Sequence, residues 1–332
     1  PGILLPATVS LPADKTLLAR AFTIFGNMLL SAQLEKCLER EREVVMSEFW
    51  MHFPLRFKFE LEMREHRALF SGCWLERFCR TLGSPESVAC ITPSDLQRYY
   101  DQYYTPANMS IVGVGGVNLS QLVDLLAASP FAVEKIGERT ALPLPTSDVA
   151  LPLETRHSYE VCQYLTVPVS CGEYRSVAKF PGTINVRTLC ILREMLDTVL
   201  EDDVREKRAW AYHIACSLGV FRQFSVFSID CESLAIHALD EIEQVIEECI
   251  VSLASREDLF EQVKQRALSS HRMIDPTGRS ICAGALDDLA DEHRIVTYAE
   301  IGNDLKRVTM DNIRSALQWL VPERRWTLLT RP

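Results

Sequence analysis

Two stretches of this chain are built alike, and that repeat limits the fold more than any other feature of the sequence. The first runs Thr92-Pro93-Ser94-Asp95-Leu96, continues as a helical run to Tyr104, then reaches Pro106 and the apolar segment Ser110-Ile111-Val112-Gly113-Val114. The second runs Thr309-Met310-Asp311-Asn312-Ile313, continues to Leu320, then reaches Pro322 and Trp326-Thr327-Leu328-Leu329. In each, a Thr stands at the N-cap position, where its hydroxyl accepts an orphan backbone N–H. In each, a Pro stops the helix and an apolar strand follows. The pattern predicts duplication of one α+β unit; chance likeness of two helix–turn–strand units is the alternative.

Between the copies lies Gly137–Tyr159, which holds Pro143, Pro145 and Pro152 among polar residues and shows neither helical nor strand periodicity. Prolines stiffen such a connection. The expected organisation is a first domain over 1–136, a linker over 137–158 and a second domain over 159–332. The second domain reads as a strand (Glu160–Val169), a helix (Thr183–Leu200), two strands (Ala211–Leu218 and Gln223–Cys231) and a run of helices from Ser233. Tyr212, Ile214, Cys216 and Leu218 alternate onto one strand face, and Leu189, Leu192, Leu196 and Val199/Leu200 form a helical stripe. Strands mixed with mostly consecutive helices indicate an α+β fold: two homologous domains, each a sheet with helices packed on it. The first copy offers one strand-like start (Ile3–Leu11), several helices and a closing strand. It therefore reads as incomplete, and its opening strand and helix are expected before Pro1.

At 332 residues, 47% of them apolar, either half has the material for a core. The net charge of −10 repels nucleic-acid phosphates, so no nucleic-acid partner is expected. No membrane span is expected either: the uncharged run Ala21–Leu34 is short and holds Gly26, Asn27 and Gln33. Eleven cysteines, an odd number with no C-x-x-C pair, argue for buried free thiols in a reducing compartment. The expected location is cytoplasmic.

The run Gln33–Glu48 carries two carboxylates in an unusual place. On a helical wheel started at Leu34, the apolar residues Cys37, Leu38, Val44 and Val45 share a stripe, and Glu41 and Glu48 fall inside it. Lys36, Glu39, Arg40, Arg42, Glu43 and Ser47 fall outside. A carboxylate on a core-facing stripe needs a cation or a hydrogen-bonded partner. Pairing with a neighbouring Arg or Lys, exposure at a cleft rim, and a metal-binding or acid–base role all satisfy that need.

The string Arg40-Glu41-Arg42-Glu43-Val44-Val45-Met46-Ser47-Glu48 resembles the segment that supplies the third zinc ligand in the pitrilysin/insulinase peptidases, a family that includes the mitochondrial processing peptidases. Leu82-Gly83-Ser84-Pro85-Glu86-Ser87-Val88, Ile91-Thr92-Pro93-Ser94-Asp95-Leu96 and Tyr104-Thr105-Pro106-Ala107-Asn108-Met109 resemble further family motifs in the family's order. Val204-Arg205-Glu206-Lys207-Arg208-Ala209-Trp210-Ala211-Tyr212 resembles its L-R-E…Y segment. The resemblance implies that Glu48 is a Zn2+ ligand, that Glu41 supports it, and that Arg205 and Tyr212 hold the substrate peptide. It implies a zinc-dependent endopeptidase acting on peptides or unfolded segments, paired as a homodimer or with a related subunit. A peptide substrate would add as a strand to a sheet edge. An arginine and a phenol suit that role, because both donate to a peptide carbonyl and more strongly to a developing oxyanion. A surface ion pair for Arg205, which follows Glu201, Asp202 and Asp203, and a core position for Tyr212 are the alternatives.

The family's H-x-x-E-H signature is absent. The seven histidines are His52, His66, His157, His213, His237, His271 and His293, and no two are four apart. The signature is expected in the segment before Pro1, and without it the chain is expected to be inactive. The alternative is a non-catalytic peptide-binding or scaffolding subunit of a peptidase complex. Relatives in this family also work in the periplasm and in mitochondria.

Overall fold

The computed structural model describes residues 14–54, 56–70, 76, 82–132, 156–160, 171–221, 223–273, 277–291 and 294–331. The expected strands Ile3–Leu11 and most of Glu160–Val169, and nearly all of the 137–158 connection, lie outside these residues. The helices are α1 (Lys15–Leu30), α2 (Leu38–His52), α3 (Arg56–Phe70), α4 (Pro85–Ala89), α5 (Pro93–Tyr103), α6 (Leu119–Ala127), α7 (Val186–Leu200), α8 (Ile242–Ser252), α9 (Glu257–Met273), α10 (Gly278–Asp291), α11 (Tyr298–Arg307) and α12 (Met310–Leu317). The strands are β1 (Arg156–Glu160), β2 (Cys171–Pro181), β3 (His213–Val220), β4 (Phe224–Ala235) and β5 (Arg325–Arg331).

The repeat is visible in the backbone. Thr92 accepts the Asp95 amide while Asp95 accepts the Thr92 amide, and Thr309 and Asn312 exchange the same two bonds. Each pair closes a capping box, which satisfies two orphan donors and fixes where the helix begins. After α5 and after α12 comes a Pro-initiated 3-10 turn, Pro106–Asn108 and Pro322–Arg324. The copies then diverge. Arg325–Arg331 enters the sheet as β5, whereas 110–114, expected as a strand, joins no ladder. A strand needs a neighbour to take its backbone groups, and the unit holding 110–114 has no strand among its described residues.

The chain forms two compact units, each assembled from discontinuous segments. One holds the described residues of Pro1–Arg56, Cys79–Leu144 and Asp275–Val296; the other holds those of Phe57–Phe78, Pro145–Ile274 and Thr297–Pro332. Thus most of α3 belongs with the later part of the chain, and α10 belongs with the earlier part.

The second unit contains a five-stranded mixed sheet of order β1-β5-β2-β4-β3. β1 runs parallel to β5, and the other neighbours are antiparallel. The α+β reading holds. The predicted strand Ala211–Leu218 starts two residues later, at His213, and Gln223–Cys231 extends to Ala235. One sheet face carries Tyr174, Ala178, Phe227, Ile229, Ile214 and Cys216 against α7, α8, α9, α11 and α12. The α7 stripe is Leu189, Leu192, Leu196 and Leu200, all fully buried. Each such leucine contributes about 1.5–3 kcal/mol. The opposite face is covered by α3, whose Leu61, Ala68, Leu69 and Phe70 meet Val177, Phe224, Trp326 and Leu328. Glu65 of α3 is buried there and binds Arg175 of β2 through both oxygens, at 2.6 and 3.0 Å. Arg175 also binds Asp230 of β4. Two carboxylates answering one guanidinium hold the arginine protonated and make charge burial tolerable.

Candidate functional site

α2 begins after a 3-10 turn, Glu35–Cys37. The wheel over Gln33–Glu48 stops short of Phe49, which is buried; at about 100° per residue Phe49 and Arg42 fall about 60–80° past Leu34, on the side away from Glu41 and Glu48. The inward positions are Leu38, Arg42, Val45, Met46 and Phe49, and Glu41, Val44, Glu48 and Met51 lie on an exposed face. The expected core-facing placement of Glu41 and Glu48 is therefore corrected: both carboxylates are about half exposed.

Arg42, expected outside the stripe, turns inward. Its Nε donates to the Val88 carbonyl at 3.2 Å and its Nη2 to the Ile91 carbonyl at 2.6 Å. Those oxygens lie at and just beyond the C-terminus of α4, where the Val88 carbonyl also accepts the Ile91 amide at 3.3 Å. The guanidinium thus binds α2 to the α4–α5 connection.

Glu41 accepts two bonds from Arg40, at 2.6 and 3.1 Å. Glu48 Oε1 lies 3.9 Å from Nε2 of His52, one turn further on. The sequence carried that signal as the spacing Glu48-x-x-x-His52. An open catalytic zinc site takes three protein ligands. Among the described residues no three His, Cys, Asp or Glu side chains converge on a metal position. Glu48 with its neighbours does not by itself make a zinc site.

Arg205 and Tyr212 lie in the other unit, and they come together. α7 passes directly into a π-helical stretch, Glu201–Lys207. A π-turn brings residues five apart into register, and Asp202 meets Lys207 at 2.6 Å while Asp203 meets Arg208 at 2.7 Å. Arg205 sits inside this stretch. Its guanidinium is 2.9 Å from Glu201 and 3.4 Å from Glu206, so the ion pairing foreseen as its alternative role is present. Its guanidinium carbon also lies 5.8 Å from the Tyr212 ring centre, a cation–π distance.

Tyr212 precedes β3 by one residue and is 81% exposed. Ile214 and Cys216 keep the expected inward face, but Tyr212 leaves it. Trp210 takes the inward place instead: it is 9% exposed, and the Arg208 guanidinium covers its ring at 4.9 Å. Its N–H donates to the Val204 carbonyl, and its carbonyl accepts from the Ala235 amide. A cavity of about 460 Å³ opens here, lined by Arg205, Glu206, Trp210, Tyr212, Ser233 and Ala235 among others. β3 is the last strand of the order, so its outer edge is unpaired among the described strands. Trp210, Ser233 and Ala235 were not singled out from sequence, because nothing local marks a β4 residue as the neighbour of a loop more than twenty positions earlier.

Asp197 of α7 accepts the Cys216 amide of β3 at 2.5 Å. Burial raises its carboxyl above the usual range, against the opposing pull of that bond.

Residues 91–167 match the family model described as the peptidase M16 inactive domain. A stretch of 139 residues is 28% identical to the probable zinc protease PqqL of Escherichia coli (strain K12), covering 41% of this chain and 15% of that protein. Among solved structures, a protease from Helicobacter pylori has a TM-score of 0.76 at 14% identity, covering 96% of this chain and 78% of the other. A putative M16-like peptidase from Alicyclobacillus acidocaldarius has a TM-score of 0.67 at 17% identity, covering 90% and 71%. The periplasmic protease PqqL from Escherichia coli has a TM-score of 0.73 at 14% identity; the likeness covers 97% of this chain and 37% of that one. The fold is thus that of M16-like peptidases, and the chain spans little more than a third of PqqL. Residues 91–167 thus match the inactive domain of the M16 peptidases, and the fold of the chain resembles that of the same peptidases.

Proposed function

We propose that this chain holds extended peptide at the head of β3, as the substrate-holding part of a zinc endopeptidase of the M16 kind. The observation that carries this reading is an exposed Tyr212 packed against Arg205 at the head of an edge strand. A peptide lying along β3 would satisfy its backbone groups on that edge. Arg205 and Tyr212 would donate to one of its carbonyls. In such an enzyme Glu48 would be one metal ligand, with Glu41 beside it, and the histidine ligands would come from outside the residues described. Pairing with a second copy or a related subunit belongs to the same proposal.

A non-catalytic peptide-binding or scaffolding subunit is the second reading. The match of residues 91–167 to a domain described as inactive favours it. Both readings share the peptide site. No described helix is long and apolar enough to cross a membrane. Likeness to the periplasmic protease PqqL supports that compartment for this chain beside the cytoplasmic expectation.

The test is fluorescence anisotropy with a short fluorescein-labelled peptide of alternating threonine and valine flanked by lysines. Saturable binding that weakens in Arg205→Ala and Tyr212→Ala supports the peptide site. Binding unchanged in both variants removes it.

A further inference from the structure

β3 does not offer its outer edge evenly. Opposed residues in an antiparallel pair alternate between those that exchange backbone bonds and those that do not. The Phe221 amide donates to the Phe224 carbonyl at 2.9 Å, one step past the Val220–Ser225 pair. Counting back from there, Gly219, Ser217, Ala215 and His213 turn their backbone groups toward β4. Those of Ile214, Cys216, Leu218 and Val220 turn toward the outer edge. A peptide added to β3 must bond to these outward groups.

Cys216 stands apart from the other outward residues, because a side chain already holds its amide. Asp197 Oδ1 accepts it at 2.5 Å, which also confirms that this amide leaves the sheet. Among the described residues the amides of Ile214, Leu218 and Val220 meet no such acceptor. Asp197 is held in place by α7, where Leu196 and Leu200 beside it are fully buried. A bond from an amide to a carboxylate is stronger than one to a carbonyl. An added strand brings a carbonyl oxygen to the position that the carboxylate fills, and two acceptors cannot share one N–H without repulsion. The strand therefore has to displace Asp197 before it can pair past Ile214. Arg193, one turn earlier on α7, can receive the released carboxylate. An open edge pairs with any extended chain, and charged side chains set against an edge are a known means of preventing this.

We propose that Asp197 guards the β3 edge and sets its selectivity: it withholds the Cys216 amide, so an extended chain is retained only where Arg205 and Tyr212 also hold it. This rests on the reading of Arg205 and Tyr212 as peptide contacts. A peptide engaged at the head of the strand displaces the carboxylate and then pairs along His213–Val220. An extended segment without those contacts, including the edge of a second copy, must break a charge-assisted bond with nothing to offset the loss.

The experiment uses the full chain and the labelled threonine–valine peptide, with Asp197→Ala and Asp197→Asn, each alone and combined with Arg205→Ala. Without peptide, the Cys216 amide of the unsubstituted chain should exchange more slowly than those of Ile214 and Leu218, and in Asp197→Ala as fast as they do. The dissociation constant should fall roughly three- to tenfold in Asp197→Ala, and less in Asp197→Asn, which keeps a neutral acceptor. Arg205→Ala should weaken binding less in the Asp197→Ala background than in the unsubstituted chain, because the freed edge depends less on the contacts at its head. A Cys216 amide that exchanges as fast as those of Ile214 and Leu218 in the unsubstituted chain overturns the proposal. So does an Asp197→Ala chain, or Asp197→Asn where the alanine variant does not fold, that binds no more tightly. If Arg205→Ala and Tyr212→Ala leave binding unchanged while the Cys216 amide stays protected, it is the underlying peptide-site reading that fails.

Discussion

The Arg205 guanidinium stands between two carboxylates, Glu201 and Glu206, and against the exposed ring of Tyr212, 5.8 Å from its centre. Ion pairs this exposed contribute about 0–1 kcal/mol to stability, and the ring contact adds about 0.5–1 kcal/mol. Arg205→Ala should therefore lower the melting temperature very little while weakening peptide binding about tenfold, the loss of one charge-assisted bond. Tyr212→Phe should have a smaller effect than Tyr212→Ala, because it keeps the ring that packs on Arg205. Anisotropy titrations and thermal melts of the same preparations check both statements.

Glu65 and Arg175 make a different kind of pair. Glu65 is buried under α3 and answers a guanidinium that is partly open to solvent. Glu65→Ala leaves Arg175 with Asp230 alone and opens a gap under the helix. A loss of about 2–3 kcal/mol is expected in urea unfolding. Glu65→Gln should recover part of it.

Asp197 gives a pH dependence whose sign is fixed by its burial. Its carboxyl titrates higher in the folded chain than in the unfolded chain. Below the unfolded value both states are protonated, and its full contribution is present. As pH rises through the folded value, the buried group must ionise and that contribution is lost. Asp197→Asn keeps an acceptor for the Cys216 amide and removes the titration. The difference in stability between variant and unsubstituted chain should grow in favour of the variant from about pH 3 to pH 7. Melts across that range, read as differences, would show it; a difference that is constant with pH would contradict it.

Arg42 should matter to stability more than an arginine in an acidic helix suggests. Arg42→Ala removes the side-chain donor from the Ile91 carbonyl and leaves the Val88 carbonyl with backbone donors alone, at a cost of about 1–3 kcal/mol. Arg42→Lys should recover less than half, because an ammonium lacks the planar fork that reaches two oxygens. Amide exchange in α4 and at the start of α5 is the local readout, with faster exchange expected in both variants.

Much of this fold was legible because its signals are local. The Thr92 and Thr309 capping boxes are set within three residues, and the α7 stripe follows from helical periodicity, so both appear where the sequence placed them. The failures also have physical causes. The wheel over Gln33–Glu48 left out Phe49 and placed Arg42 outside, and these two mark the inward side of α2, which leaves Glu41 and Glu48 outward. A π-helical stretch and one left-handed alanine moved Tyr212 off the strand face that alternation assigned to it. No ladder forms over 110–114 among the described residues, because a strand is a property of its neighbour as much as of its own residues. Arg205 and Tyr212 were identifiable as a pair through family resemblance, but Ser233 and Ala235 reach the same cavity only through a bulge in a different strand.

The most direct measurement is amide hydrogen exchange of the full chain with and without saturating threonine–valine peptide. Binding along the edge strand should slow exchange at backbone amides of His213–Val220 and shift the Tyr212 resonances, and Arg205→Ala should reduce both effects together. Peptide that binds while the β3 amides exchange at unchanged rates would contradict a site at the head of this strand.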